Sequence, residues 1–267
     1  MDRKNEIPKY VINSIEATKL YFADSFIKHE LRFPGWRACL KRYADKYDEI
    51  ISSNCYSVRQ LEEIHNELCV ADALLEINYP YIDIIEYEPP ILPCLKTIDY
   101  KCKAGNIFAY VDIKTITPKA IDAWSKFTDL KGKGLISENN EFILEQEYLG
   151  GEFWHDITTS RGRMLEYTIE LEKKILESGM DVEGNMFLLA LCGNGAKWHV
   201  DELEDFVHYY RTGHHRDDDG LAKMESHYME QNRIVFSGRI DKFIYVERSL
   251  GYIQPQRIVW NVVPPNK

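Results

Sequence analysis

The chain has 267 residues, a mass of 31.3 kDa, a formal net charge of −10 and a hydrophobic fraction of 45%. That is enough apolar material to bury a core without disulfide staples; this composition without a low-complexity tract argues against disorder, and the lack of a run of eighteen apolar residues argues against a membrane span. The acidic surplus excludes a protein that coats nucleic acid by bulk charge, while leaving a local basic groove open.

The opening "MDRKNEIPKY" lacks the apolar segment of a signal peptide, so the expected location is cytoplasmic. From Lys9 to about Ser52, apolar residues recur at helical spacing and break at Phe33-Pro34-Gly35, which predicts two helices. A third helix is predicted from Ser57, an N-cap with Gln60 three residues on, and its apolar stripe is Val58, Leu61, Ile64, Leu68, Ala71 and Leu75. Three strand-like runs follow, from Ile82, from Cys94 and from Asn106. "RGRMLEYTIELEKKILES" from Arg161 reads as an amphipathic helix and "GNMFLLALCGNG" from Gly184 as a strand buried on both faces. A helix from Asp201, a charged loop and two late strands complete the chain. These elements predict one α/β domain with a helical part over 1–55, a core over 56–200 and a C-terminal helix and strands over 201–267. The six cysteines show no C-x-x-C spacing, which predicts free thiols rather than a zinc ribbon.

The stretch "KTIDYKCKAGNIFAYVDIKT" puts an Asp into each of two apolar runs joined at Gly105-Asn106. A two-residue turn there places Asp99 opposite Asp112 and Thr97 opposite Lys114, with Asp112 and Lys114 on one face and Val111 and Ile113 on the other. Facing carboxylates cost up to about 1 kcal/mol, so Asp112→Asn is expected to raise the melting temperature in EDTA. A divalent cation between them would relieve that cost, since hard oxygen ligands suit Mg²⁺, and a lysine two residues along can steady a water or a phosphate. The acidic-x-Lys pattern by itself carries little, for it also occurs at Asp2, Asp99, Asp129 and Glu172. The instance at Asp112 differs in its setting, late in an apolar strand paired to another Asp. The competing reading is two solvated Asp on an edge hairpin, with Lys114 offsetting their charge.

In this arrangement the residues resemble the PD-(D/E)XK nuclease superfamily, the fold of many type II restriction endonucleases. That family's pattern is a Glu on the first core helix, an Asp on the second core strand, then Asp or Glu, any residue and Lys on the third. Asp99 matches the second-strand position, with Ile98 where Pro is usual, and Asp112 and Lys114 match the next motif. The element order from about Ser57 to Asn194, roughly half the chain, resembles the family's α-β-β-β-α-β core. The resemblance implies an α/β, restriction-endonuclease-like fold and a metal-dependent endonuclease of the restriction or genome-defence kind. It also implies Mg²⁺, with Mn²⁺ as a substitute, bound by Asp99, Asp112 and a helix Glu. Of Glu62, Glu63, Glu67 and Glu76, Glu67 lies at the border of the apolar stripe and is the expected choice. Nucleic acid, DNA first, is the implied partner, and double-strand cleavage would imply a homodimer by analogy. Two alternatives stay open: an RNA-cleaving endonuclease, and a non-catalytic nucleic-acid or protein interaction module on the same fold.

Other candidates are weaker. His65 is expected to be solvated or capping. Arg161, Arg163 and the loop "KFTDLKGKG" could grip phosphates, but solvated surface is their expected role. "GHHRDDDG" at Gly213 is tempting as a metal cluster, yet adjacent histidines point apart and Asp runs mark exposed loops.

Overall fold

The computed structural model describes residues 28–53, 58–77, 82–91, 96–116, 160–193, 200–216, 226, 229–247 and 257–262. In chain order these form α1 (Trp36–Ser53), α2 (Val58–Ile77), β1 (Asp83–Tyr87), β2 (Pro90–Ile91), β3 (Lys96–Thr97), β4 (Tyr100–Ala104) and β5 (Ile107–Ile116). They continue with α3 (Ser160–Ser178), β6 (Asn185–Gly193), α4 (Val200–Thr212), β7 (Lys242–Glu247) and β8 (Arg257–Val262). The fold is α/β. All but the last turn of the first N-terminal helix, the Ser57 cap, the "KFTDLKGKG" loop and the Asp217–Asp219 run lie outside the described residues.

A six-stranded mixed sheet runs in the order β1-β4-β5-β6-β7-β8. The β1–β4, β4–β5 and β7–β8 pairs are antiparallel, while β5–β6 and β6–β7 are parallel. Parallel neighbours need a crossover, and α3 and α4 supply the two. Helices thereby lie on both faces of the sheet and divide the core in two. On one side α1 and α2 pack on Ile84, Tyr100, Val111, Ile113, Leu188 and Ala190. On the other, α3 and α4 pack on Phe187, Leu189, Leu191, Phe243 and Tyr245. Strand β6 gives residues to both clusters, which is why its sequence is an unbroken apolar run.

Along α1, Trp36, Cys39 and Tyr43 recur at helical spacing and are buried against α2. The chain enters that helix through Gly35, where an added Cβ would stand 2.9 Å from both the Phe33 ring and Tyr87 Cβ, so only glycine fits. Helix α2 has the expected stripe residues Ile64, Leu68, Ala71 and Leu75 in the core. It is more enclosed than a surface helix, however, because Cys69, Val70, Ala73 and Leu74 are buried too. Cys39, Cys69, Cys102 and Cys192 are buried thiols outside any disulfide. Among the described residues no helix is long and apolar enough to cross a membrane.

The expected single strand from Cys94 to Cys102 is divided. Lys96–Thr97 pairs with Pro90–Ile91 in a separate two-stranded sheet, and the main sheet resumes at Tyr100. Thr97 therefore lies opposite Pro90 and not opposite Lys114. The break falls at Asp99, and its cause is a competing hydrogen bond at that residue.

Candidate metal centre

Gly105 has a φ of +63°, the left-handed conformation that suits glycine, and the turn it opens sets the hairpin register. Ala104 faces Ile107, Cys102 faces Ala109 and Tyr100 faces Val111, which is the expected pairing. One step further would set Asp99 abreast of Asp112, and there the ladder opens. Asp99 lies in a bend, where its carboxylate accepts the Ile113 N–H at 2.5 Å and its carbonyl accepts the Glu88 N–H at 2.9 Å. A side chain thus takes the backbone partner on β5 that a strand carbonyl would otherwise seek.

Asp112 is 2% exposed and stands on the α3 side of β5, with Val111 and Ile113 in the α2 core, as alternation requires. Two lysines reach it. Lys174, on α3, donates to Oδ1 at 2.9 Å, and Lys114 lies 3.3 Å from Oδ2. The Lys114 contact is an ion pair without hydrogen-bond geometry, and among the described residues the buried Oδ2 accepts no hydrogen bond. Burial works against the Lys114 charge, but Asp112 and Asp99 outweigh it and hold the ammonium above the usual lysine range. Asp99 moves the other way for a carboxylate. Burial, then repulsion from Asp112 and Glu67, raise it well above its ordinary value, against the opposing pull of Lys114 and the Ile113 N–H.

Glu67 is buried on α2, and its charge reaches Asp99. Its Oε2 accepts from Tyr87 OH at 3.0 Å and pairs with Arg42 Nη1 at 3.4 Å, while Tyr100 OH donates to its carbonyl at 2.8 Å. Burial pushes its carboxyl up to about 7, with Arg42 and Tyr87 opposing. Arg42 also donates to Tyr87 OH at 2.5 Å and pairs with Glu88, a non-glycine residue at a φ of +48°. Two hydrogen bonds, from Arg42 to its carboxylate and from its own N–H to Asp99, hold Glu88 in that uncommon conformation. Glu63 is half-buried on the same helix and adds to the field at Glu67.

The structure thus brings Asp112 and Lys114 into contact and sets Asp99 within electrostatic reach of both and of Glu67. It does not close all three carboxylates into one tight cluster. Among the described residues the set whose ligand atoms all lie within 4.8 Å of one another is His29, Asp72 and Glu76. That set is already satisfied by its own contacts, because His29 Nε2 lies 3.1 Å from Asp72 and Glu76 pairs with Lys28. Burial lowers the His29 pKa, which keeps the ring neutral at physiological pH.

Lys174, Arg42 and Tyr87 were not singled out from the sequence. Lys174 does carry a signal, since it ends the acidic-x-Lys match that begins at Glu172. Other expectations are corrected. His65 is fully buried between α1 and α2, with Nε2 3.2 Å from Cys69 Sγ, because the helix packs on more sides than its stripe implies. Arg163 is buried and paired with Glu166 at 2.5 Å, so it is no solvated phosphate grip. His214 is exposed while His215 stacks on Tyr209 with ring centroids 4.0 Å apart, so the two do point apart.

Comparison of the chain with protein-family models, with curated proteins and with solved structures finds no match.

Proposed function

We propose that this protein is a metal-dependent endonuclease that hydrolyses phosphodiester bonds, with DNA as the substrate the PD-(D/E)XK resemblance implies. The observation that carries the reading is the buried Asp112 carboxylate, with one oxygen accepting no hydrogen bond among the described residues, Lys114 beside it and Asp99 one step past the last ladder pair. A buried oxygen that accepts no hydrogen bond calls for an explanation, and a divalent cation is a group that two acidic side chains fit. The element order α2-β1-β4-β5-α3-β6 supports the finer, restriction-endonuclease-like reading of the α/β fold.

Asp99 and Asp112 would hold Mg²⁺, with Glu67 as the further acidic group. The bound ion would lower the pKa of an attacking water and offset charge growing on the phosphate oxygens. Lys114, kept protonated by its two acidic neighbours, orients that water and the phosphate. The Ile113 N–H fixes the Asp99 carboxylate, and Arg42 and Tyr87 fix that of Glu67. Each acidic group therefore meets the ion preoriented.

The test is incubation of purified protein with plasmid, single-stranded DNA and single-stranded RNA in Mg²⁺ or in EDTA. Cleavage in Mg²⁺ alone is expected. It should disappear in Lys114→Ala while circular dichroism and melting stay near those of the wild type, since Lys114 is partly exposed and Lys174 still neutralises Asp112. Full activity in Lys114→Ala would remove that residue from the mechanism.

A further inference from the structure

The contact that Lys174 makes with Asp112 bears on how a metal would enter. Resting on the nuclease reading above, we infer that Lys174 is a displaceable internal counter-ion, whose ammonium holds Asp112 Oδ1 in the metal-free protein and must leave when a divalent cation binds. The residue sits on the side of α3 that meets β5. Tyr167, one of its neighbours along that side, donates from its OH to the Thr115 carbonyl at 3.2 Å, and Lys174 lies seven residues on. Both lysine contacts on Asp112 are close, 2.9 Å for Lys174 and 3.3 Å for Lys114, and they occupy opposite oxygens. A cation on Asp112 therefore meets one ammonium or the other.

The two lysines are not equivalent. Lys114 shares β5 with Asp112 and also feels Asp99, so it is anchored by two carboxylates. Among the described residues Lys174 pairs with Asp112 alone, and it reaches from a helix on a long flexible stem. Its hydrogen bond neutralises a carboxylate only 2% exposed, which explains how Asp112 is tolerated in the core without metal. A Mg²⁺ ion sits about 2.1 Å from a carboxylate oxygen, closer than an ammonium can approach. A divalent ion and two ammonium groups around one carboxylate repel, so the ammonium with fewer anchors yields. The lysine is thus a positioning residue acting through a metal ligand, and it sets the cation concentration at which the site fills.

The experiment is calorimetric titration of wild type and Lys174→Gln with MnCl₂ at neutral pH. The glutamine keeps a donor of nearly the right reach without the charge. Lys174→Gln is expected to bind Mn²⁺ about tenfold more tightly and to melt lower in EDTA, whereas Lys174→Arg binds no more tightly than wild type. An unchanged or weaker Mn²⁺ affinity in Lys174→Gln, with wild type binding normally, overturns the counter-ion role alone. If neither wild type nor variant binds Mn²⁺, the metal reading itself falls and the inference with it. Binding by the variant only supports both. Should Lys174→Gln fail to fold, acylation of wild-type Lys174 by an amine-reactive reagent, read by mass spectrometry, decides. It should rise several-fold when Mn²⁺ is added, and equal labelling with and without Mn²⁺ contradicts displacement.

Discussion

At Asp112 one buried carboxylate is shared by two ammonium groups, and this arrangement changes what its removal should do. The sequence presents Asp112 as one half of a repelling pair, so its loss would be expected to stabilise metal-free protein. With Lys174 and Lys114 both on it, Asp112→Asn instead strands two partly buried cations and is expected to lower stability in EDTA by about 1–3 kcal/mol. The stabilising change belongs to Asp99, whose carboxyl is pushed up by burial, Asp112 and Glu67. Asp99→Asn keeps an acceptor for the Ile113 N–H and should raise the melting temperature in EDTA. Melting curves of the two variants check both signs, and a rise for Asp112→Asn would contradict the pairing. Glu67 adds a pH dependence. Its folded pKa, about 7, lies above its ordinary value of 4.5, so the native state holds that proton more tightly between the two. Stability should therefore fall as pH climbs from about 4.5 to 7 and level off above, with Asp99 acting in the same direction. Melting in EDTA at pH 5 and pH 8 measures the slope, which Glu67→Gln should flatten; an equal slope in that variant would show that Glu67 does not titrate there. At this scale the placement of Glu67, Asp112 and Lys114 on their elements was legible in the sequence, because strand alternation and helix spacing are local. Lys174 could not be ranked, since its partner lies on another element and nothing local separates Glu172-x-Lys174 from the other acidic-x-Lys matches.

Elements were legible where a turn or an uninterrupted period set them. Gly105-Asn106 fixes the β4–β5 register, and the apolar run of β6 marks a strand flanked by parallel neighbours. The division at Asp99 was not legible, for alternation runs through it unbroken, and only the non-local pairing of Lys96–Thr97 with Pro90–Ile91 separates the halves. The same holds on the far side of α3. Glu172 is buried there and accepts the N–H groups of Ser237 at 2.8 Å and Gly238 at 2.9 Å, together with Tyr210 OH at 2.6 Å. Gly238, at a φ of +70°, lets those amides converge. The carboxylate thereby ties the segment before β7 to α3 and α4. Glu172→Ala leaves these donors without their acceptor and should cost about 2–4 kcal/mol in urea unfolding, with faster amide exchange at Ser237 and Gly238. Exchange at wild-type rates would mean that the clamp does not hold that segment.

Across the whole molecule, two helical layers on one mixed sheet explain where the candidate site lies. α2 brings Glu67 from one face, α3 brings Lys174 from the other, and β4 and β5 part at Asp99 between them. The net charge of −10 gave no hint of this location, because a few buried groups weigh little in a total of 43 acidic residues. Whether Asp99 and Asp112 hold a divalent cation is read from the anomalous difference map of a Mn²⁺-soaked crystal. A peak is expected between those two carboxylates, with Lys114 beside it and Lys174 moved from Asp112. A peak confined to His29, Asp72 and Glu76, or none at saturating Mn²⁺, would contradict it.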